Sequence, residues 1–254
     1  SHGSVQNQKI GFIFLDDIHH IPHFLTVFIE LYRQNQYEVS IITFQGEHNY
    51  LKRVLHQFKI PLEVLIALPT YRYRKILNKI RKRKKPSHVF IFKKNQRTFL
   101  NFDLLVYNVP QHNYLLNKRK KDTPKFVYLD HGAGDRDYIY NDTLTNFDLV
   151  TVAGKKVEHL CKSNADFSKT NLQVCGYQKF DFVAKKKNNN QFFKNNNPII
   201  LYNPHFVKEI SSFYTLGKDV LEFFYHRKEY NLIFAPHINL FHKRKHLNPS
   251  NFDE

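Results

Sequence analysis

The stretch KIGFIFLDDIHHIPHFLTVFIELYRQNQYEVSIITF, residues 9–44, constrains the fold more than any other part of the chain. Residues 9–15 form an unbroken apolar run, and a strand that is apolar on both sides has to be covered on both sides. Pro22 suits the first turn of a helix. Phe24, Val27, Phe28, Leu31 and Tyr32 then recur at helical spacing. A second apolar run spans residues 38–44. Strand, helix and strand within about 35 residues make a parallel βαβ unit.

The rhythm continues. NYLKRVLHQFKI is an expected helix, LEVLIAL a strand and HVFIF a short strand. FDLLVYNV at 102–109, KFVYLD at 125–130 and FDLVTVAG at 147–154 are clearer strands, KKVEHLCKSN is a helix, and LQVCGY at 172–177 closes the series. Alternation of this kind predicts an α/β domain with a mostly parallel sheet and helices on both faces. The polar, low-complexity segment KKKNNNQFFKNNN at 185–197 reads as a linker. After it the β–α–β rhythm restarts with PIILYNPHF, LGKDVLEFFYHRKEY and NLIFAPHINL. Two domains are therefore expected, 5–185 and 198–254. The second is too short for a complete doubly wound domain, so a truncated chain is expected.

Composition narrows the class. Thirty-nine Lys and Arg against 22 Asp and Glu leave a net charge of +17, a field that attracts polyanions. Two cysteines are too few for a disulfide framework or a four-cysteine metal site. No apolar span approaches the ~20 residues of a membrane helix, and no cleavable signal peptide is visible. The opening SHGS reads as a tag remnant. Reduced thiols and a cytoplasmic location are expected.

In open α/β sheets, ligands bind beyond the carboxyl ends of the strands. Four polar loops fall at expected strand ends, residues 16–23, 130–136, 203–205 and 236–239, and each contains histidine. In DHGAGDRD, Gly132 and Gly134 allow a ligand close to the backbone. His131 is suited to taking a proton from an alcohol. Asp135 could orient it or cap a helix, and Arg136 could pair with phosphate. The alternative is a glycine-rich turn with solvated charges. In DDIHHIPHF, Asp16, Asp17, His19, His20 and His23 are metal-ligand types. Pro22 argues against the regular helix that would align His19 with His23, so no metal is expected and the loop reads as lining a substrate site. His205 and His237 each follow a proline, and either could donate to a phosphate oxygen. A hydrogen-bonded surface histidine is the plain alternative at every one of these positions.

RYRKILNKIRKRKK, residues 72–85, holds nine basic residues in fourteen. Tyr73, Ile76, Leu77 and Ile80 share one helical face, which fits a helix lying on an anionic membrane. A solvated helix is the alternative, and nucleic acid is not expected, because no recognition motif accompanies the charge.

On HGAGD after a strand, FDLVTVAGKK next to it, ILYNPHF and LIFAPH, the chain resembles the CDP-glycerol glycerophosphotransferase family, the teichoic-acid-type polymerases and their capsule-building relatives. The resemblance covers roughly residues 100–240. It implies a GT-B fold, with a Rossmann-like acceptor-side domain and the start of a nucleotide-donor domain. It implies transfer of a glycerophosphate or sugar unit to a membrane-associated, lipid-linked or polymer acceptor at the inner face of a bacterial membrane. It implies His131 as the base and His237 against the donor's phosphates. Gly132, Gly134, Asp135, Arg136, His205, His19, His20 and Asp17 are the candidate substrate contacts. The nucleotide-linked donor is then a substrate, and no cofactor is expected. A UDP-sugar glycosyltransferase or nucleotide-sugar epimerase of the same fold is the first alternative. A non-catalytic basic module binding lipid or nucleic acid is the second. The membrane expectation has its own test. The chain should bind anionic vesicles and release them as salt rises, because screening acts over about 10 Å at 0.1 M. Neutralising Arg81, Lys82, Arg83, Lys84 and Lys85 should weaken binding, and unchanged binding would make the segment an ordinary solvated face.

Overall fold

The computed structural model describes residues 7–15, 18–44, 49–69, 86–111, 113–132, 140–185, 192–237 and 239–243. The chain divides into two compact units, Ser1–Lys187 and Asn188–Glu254.

The first unit is built on seven parallel strands: β1 (Lys9–Phe14), β2 (Glu38–Phe44), β3 (Leu65–Leu68), β4 (Leu104–Tyr107), β5 (Lys125–Leu129), β6 (Leu149–Val152) and β7 (Asn171–Val174). Their order in the sheet is β3-β2-β1-β4-β5-β6-β7, and every pairing is parallel. This is the doubly wound Rossmann order, reversing direction between β1 and β4. The helices are α1 (Leu25–Gln34), α2 (Asn49–Gln57), α3 (His88–Lys94), α4 (Gln96–Leu100), α5 (Asn113–Leu116), α6 (Lys155–Asn164) and α7 (Gln178–Lys185).

Because side chains alternate along a strand, each central strand feeds two cores. Ile13, Ile42, Leu105, Phe126, Tyr128 and Val150 face one, together with Phe92, Phe99 and Phe147. Phe12, Phe14, Ile41, Val106, Val127 and Leu129 face the other, where Leu25, Phe28 and Ile29 of α1 and Phe182 of α7 cover them. The continuous apolar runs follow from this two-sided burial. Acids at strand starts are used by the frame. Asp103 accepts from the Lys9 amide at 2.7 Å. Asp148 accepts from the Phe126 amide and from Arg119 Nη1, each at 2.8 Å.

Three expectations need correction. HVFIF is not a strand but the body of α3. Ser87, after Pro86, caps the helix by accepting from the Phe90 amide at 3.4 Å. His88 and Phe92 then meet one turn apart, and Ile91 and Phe92 are buried. A short apolar run carries no period that separates strand from helix. In LEVLIAL, residues 62–64 form a 3₁₀ turn and the strand starts at Leu65. Pro22 lies in a 3₁₀ turn, Ile18–His23, and α1 begins only at Leu25. The basic stretch, including Arg81, Lys82, Arg83, Lys84 and Lys85, lies outside the described residues.

The second unit contains a parallel pair, β8 (Ile199–Tyr202) and β9 (Asn231–Phe234), joined through α8 (Phe213–Tyr225) and followed by α9 (Asn239–Lys243).

Candidate functional site

The carboxyl ends of β1, β4 and β5 lie side by side in the first unit. Beyond β1 the 3₁₀ turn carries His19, exposed, His20, half-buried, and His23, buried. Beyond β5 come Asp130, buried, and His131, half-buried. These loops bring four imidazoles together. Ring centroids are 4.2 Å apart for His19 and His20, 5.6 Å for His20 and His131, and 6.1 Å for His23 and His131. His19, His20 and His131, picked out separately in the sequence, thus form one cluster. Asp17, Gly134, Asp135 and Arg136 lie outside the described residues, as does Asp16. Among the described residues, no three His, Cys, Asp or Glu side chains are placed to hold a metal ion.

Tyr128 Oη lies within hydrogen-bond reach of His131 Nδ1, at 3.1 Å. Tyr128 lies in β5 on the covered face of the sheet, and burial, then the nearby Asp130 charge, push its phenol well above the ordinary range. It therefore stays protonated and acts as a neutral orienter. The tautomer decides the chemistry: where Nδ1 donates to Tyr128, the lone pair at Nε2 can take a proton from a substrate, and where Tyr128 donates, Nε2 carries the hydrogen.

Asp130 is only 3% exposed. Tyr140 Oη donates to its Oδ2 at 2.9 Å and the Gly132 amide to its Oδ1 at 3.2 Å. Burial raises its pKa from 3.8 to about 6, and these hydrogen bonds only partly offset that. Gly132 thus serves the carboxylate through its amide. His23 moves the other way. Burial, then the neighbouring His131, His20, Lys179 and His19, lower it from 6.5 to about 3. It is a neutral imidazole at physiological pH, with Tyr177 Oη 3.4 Å from its Nδ1.

Side-chain amides brace the loops. Asn108, just past β4, donates to the His20 carbonyl at 3.3 Å. Gln178, the first residue of α7, donates to the carbonyls of His23 at 2.6 Å and Asp130 at 2.7 Å. Sequence reasoning missed Tyr128, Asp130, Tyr140, Tyr177 and Gln178 as site residues. Of these, only Asp130 carried a signal, an acid at the end of a strand apolar throughout.

In the second unit, His205 and His237 follow the adjacent strands β8 and β9, with ring centroids 5.2 Å apart. Each Nδ1 accepts from the backbone amide two residues on: Val207 N at 3.0 Å and Asn239 N at 3.1 Å. With Nδ1 used as an acceptor, the proton of the neutral ring sits on Nε2. Both imidazoles are thereby set as Nε2–H donors by the same local turn.

No protein-family model matches the chain, and no curated protein sequence matches it. Solved structures do. A Listeria monocytogenes protein assigned as a UDP-N-acetylglucosamine 2-epimerase aligns with a TM-score of 0.60 at 14% identity, over 96% of this chain and 66% of that one. S. aureus MnaA in complex with UDP aligns at 0.58 and 14% identity, over 91% of this chain and 62% of that one. The UDP-GlcNAc 2-epimerase of Neisseria meningitidis bound to UDP-GlcNAc aligns at 0.58 and 14%, over 96% and 70%. The chain spans just under two thirds of the first two. Likeness at this identity concerns the fold, which is α/β and GT-B-like, with a Rossmann-type parallel sheet.

The two shifted groups make opposed contributions to stability. Asp130 titrates higher when folded, so its contribution is whole below the unfolded value of 3.8 and is lost as pH rises through about 6. His23 titrates lower when folded, so its contribution is whole above 6.5 and is lost as pH falls toward about 3. Between these limits the slopes nearly cancel. Asp130→Asn removes one of them. In urea titrations from about pH 6 down to 4, the variant should lose stability more steeply than the parent, by about 1.4 kcal/mol per pH unit for one proton. Parallel profiles would show that the carboxyl does not titrate as its burial requires.

Proposed function

We propose that the chain is an enzyme acting on a uridine-diphosphate-linked sugar, with His131 as the proton-moving group of the first unit and His205 and His237 as phosphate-type donors of the second. The observation that carries this reading is the imidazole cluster at the switch point of a Rossmann-order sheet. The fold likeness to structures holding UDP and UDP-GlcNAc supports the choice of donor class. The first unit is the acceptor side and the second the nucleotide side.

In the proposed step, His131 Nε2 takes the proton of an acceptor hydroxyl as its oxygen bonds to the anomeric carbon. The bond from that carbon to the diphosphate oxygen breaks, and UDP leaves with the electron pair. In the second unit, the Nε2–H groups of His205 and His237 are donors of the kind that phosphate oxygens accept from. Neutral His23 adds no charge to the acceptor side, while His20 and His19 line it. The proposed acceptor is a hydroxyl of a membrane-associated surface polymer. The basic residues 72–85 supply attraction to an anionic membrane at the inner face, where the enzyme would sit peripherally.

Glycerophosphate transfer from CDP-glycerol is the second reading, favoured by HGAGD, ILYNPHF and LIFAPH. Against it, the chain has His-Gly-Ala-Gly where that family's motif reads His-Gly-Thr-Pro.

Turnover of UDP-GlcNAc and of CDP-glycerol by the full chain decides between them. UDP release dependent on an acceptor is expected, and His131→Ala should lower it by about 10²–10⁴-fold with little change in thermal midpoint. Conversion of UDP-GlcNAc to its 2-epimer without acceptor would make the reaction an epimerisation. Consumption of CDP-glycerol alone would move the assignment to the second reading. No turnover of either, with tight polyanion binding, would make the chain a non-catalytic module.

A further inference from the structure

The geometry points to Gln178, with Tyr177 beside it, as the positioning residue of the first-unit site: one side-chain amide fixes the separation of the two loops that carry His23 and His131. An amide NH₂ has two hydrogens, and here both are directed at carbonyls, those of His23 at 2.6 Å and Asp130 at 2.7 Å. One acceptor belongs to the buried histidine itself. The other belongs to the residue immediately before His131. A single planar group therefore bridges the loop after β1 and the loop after β5, across the end of the intervening β4.

Three further contacts aim the bridge. Thr26 Oγ1 on α1 donates to the Gln178 carbonyl at 3.3 Å. Tyr177 reaches His23 Nδ1 at 3.4 Å, with its ring 5.8 Å from the imidazole. Phe182, one turn further along α7, is 4% exposed and packs in the core with α1. That anchor holds α7 in place without help from Gln178. Losing the amide should then leave the helix docked while releasing the loops, since two carbonyls would lose their donors and turn to water.

The groups acting on His23 are His131, His20, Lys179 and His19, besides Tyr177. Their influence depends on distances that the bridge sets. The positioning role stands on geometry alone, and its kinetic consequence rests on the nucleotide-sugar reading.

The test is Gln178→Leu in the full chain, followed by histidine-ring NMR titration and by UDP-GlcNAc kinetics. The thermal midpoint should stay near the parent's. The His23 titration should rise toward its ordinary value by about one pH unit or more as water enters. kcat should fall by about 10²-fold, with KM for the donor little changed because its phosphate contacts lie in the second unit. Should Gln178→Leu fail to fold, Gln178→Met takes its place under the same readouts, having similar length, no amide hydrogens and no charge to act on His23. A shifted His23 titration in a chain whose parent turns over no UDP-sugar would keep the positioning role and end the nucleotide-sugar reading. Unmoved His23 and His131 titrations in a folded variant would overturn the proposal.

Discussion

The reversal of strand order between β1 and β4 is the constraint on which the first unit depends. Chains leaving these two neighbours pass to opposite faces of the sheet, so the polar backbone at their carboxyl ends is not roofed by a single crossover. The turn after β1 and the loop after β5 meet there, and their carbonyls need donors. Asn108 and Gln178 supply them. The imidazole cluster is a consequence: once the carbonyls of His20, His23 and Asp130 are tied, the rings of His20, His23 and His131 fall within about 6 Å of one another.

Burial then sets the chemistry of each group. A carboxylate and an imidazole are both removed from water, and both drift toward their neutral forms. Asp130 keeps its proton to about pH 6 and His23 sheds its proton down to about 3. Below about pH 6 the site is therefore less charged than its residue types suggest, and near neutral pH it holds a carboxylate at Asp130 and a neutral imidazole at His23. Orientation comes from phenols, with Tyr128 on His131 and Tyr177 on His23. In the second unit the backbone does the same work, each Pro-His turn aiming an amide at Nδ1.

How far this could be read from sequence follows from the range of the interactions. Two-sided burial leaves a local record, so β1, β2, β4, β5 and β6 stand out as apolar runs, and their parallel sheet follows from the intervening helices. HVFIF does not, because its helical identity depends on the Ser87 cap and on packing against Phe99. His131, His19 and His20 were legible as reactive types at strand ends. That such loops share one sheet edge follows from the strand pattern, but which rings meet does not, since residues 19 and 131 are joined only by the sheet. Gln178 was invisible for the same reason: its two acceptors lie 155 and 48 residues away.

The central claim is that the imidazoles at these strand ends meet a nucleotide sugar. Its most direct test is ring NMR of the histidine-labelled full chain titrated with UDP and then with UDP-GlcNAc. The account predicts that UDP alone shifts the His205 and His237 signals, and that attaching the sugar also shifts His131 and His20. Saturating UDP-GlcNAc that leaves all four unmoved, or moves only distant rings such as His56 and His159, would contradict it.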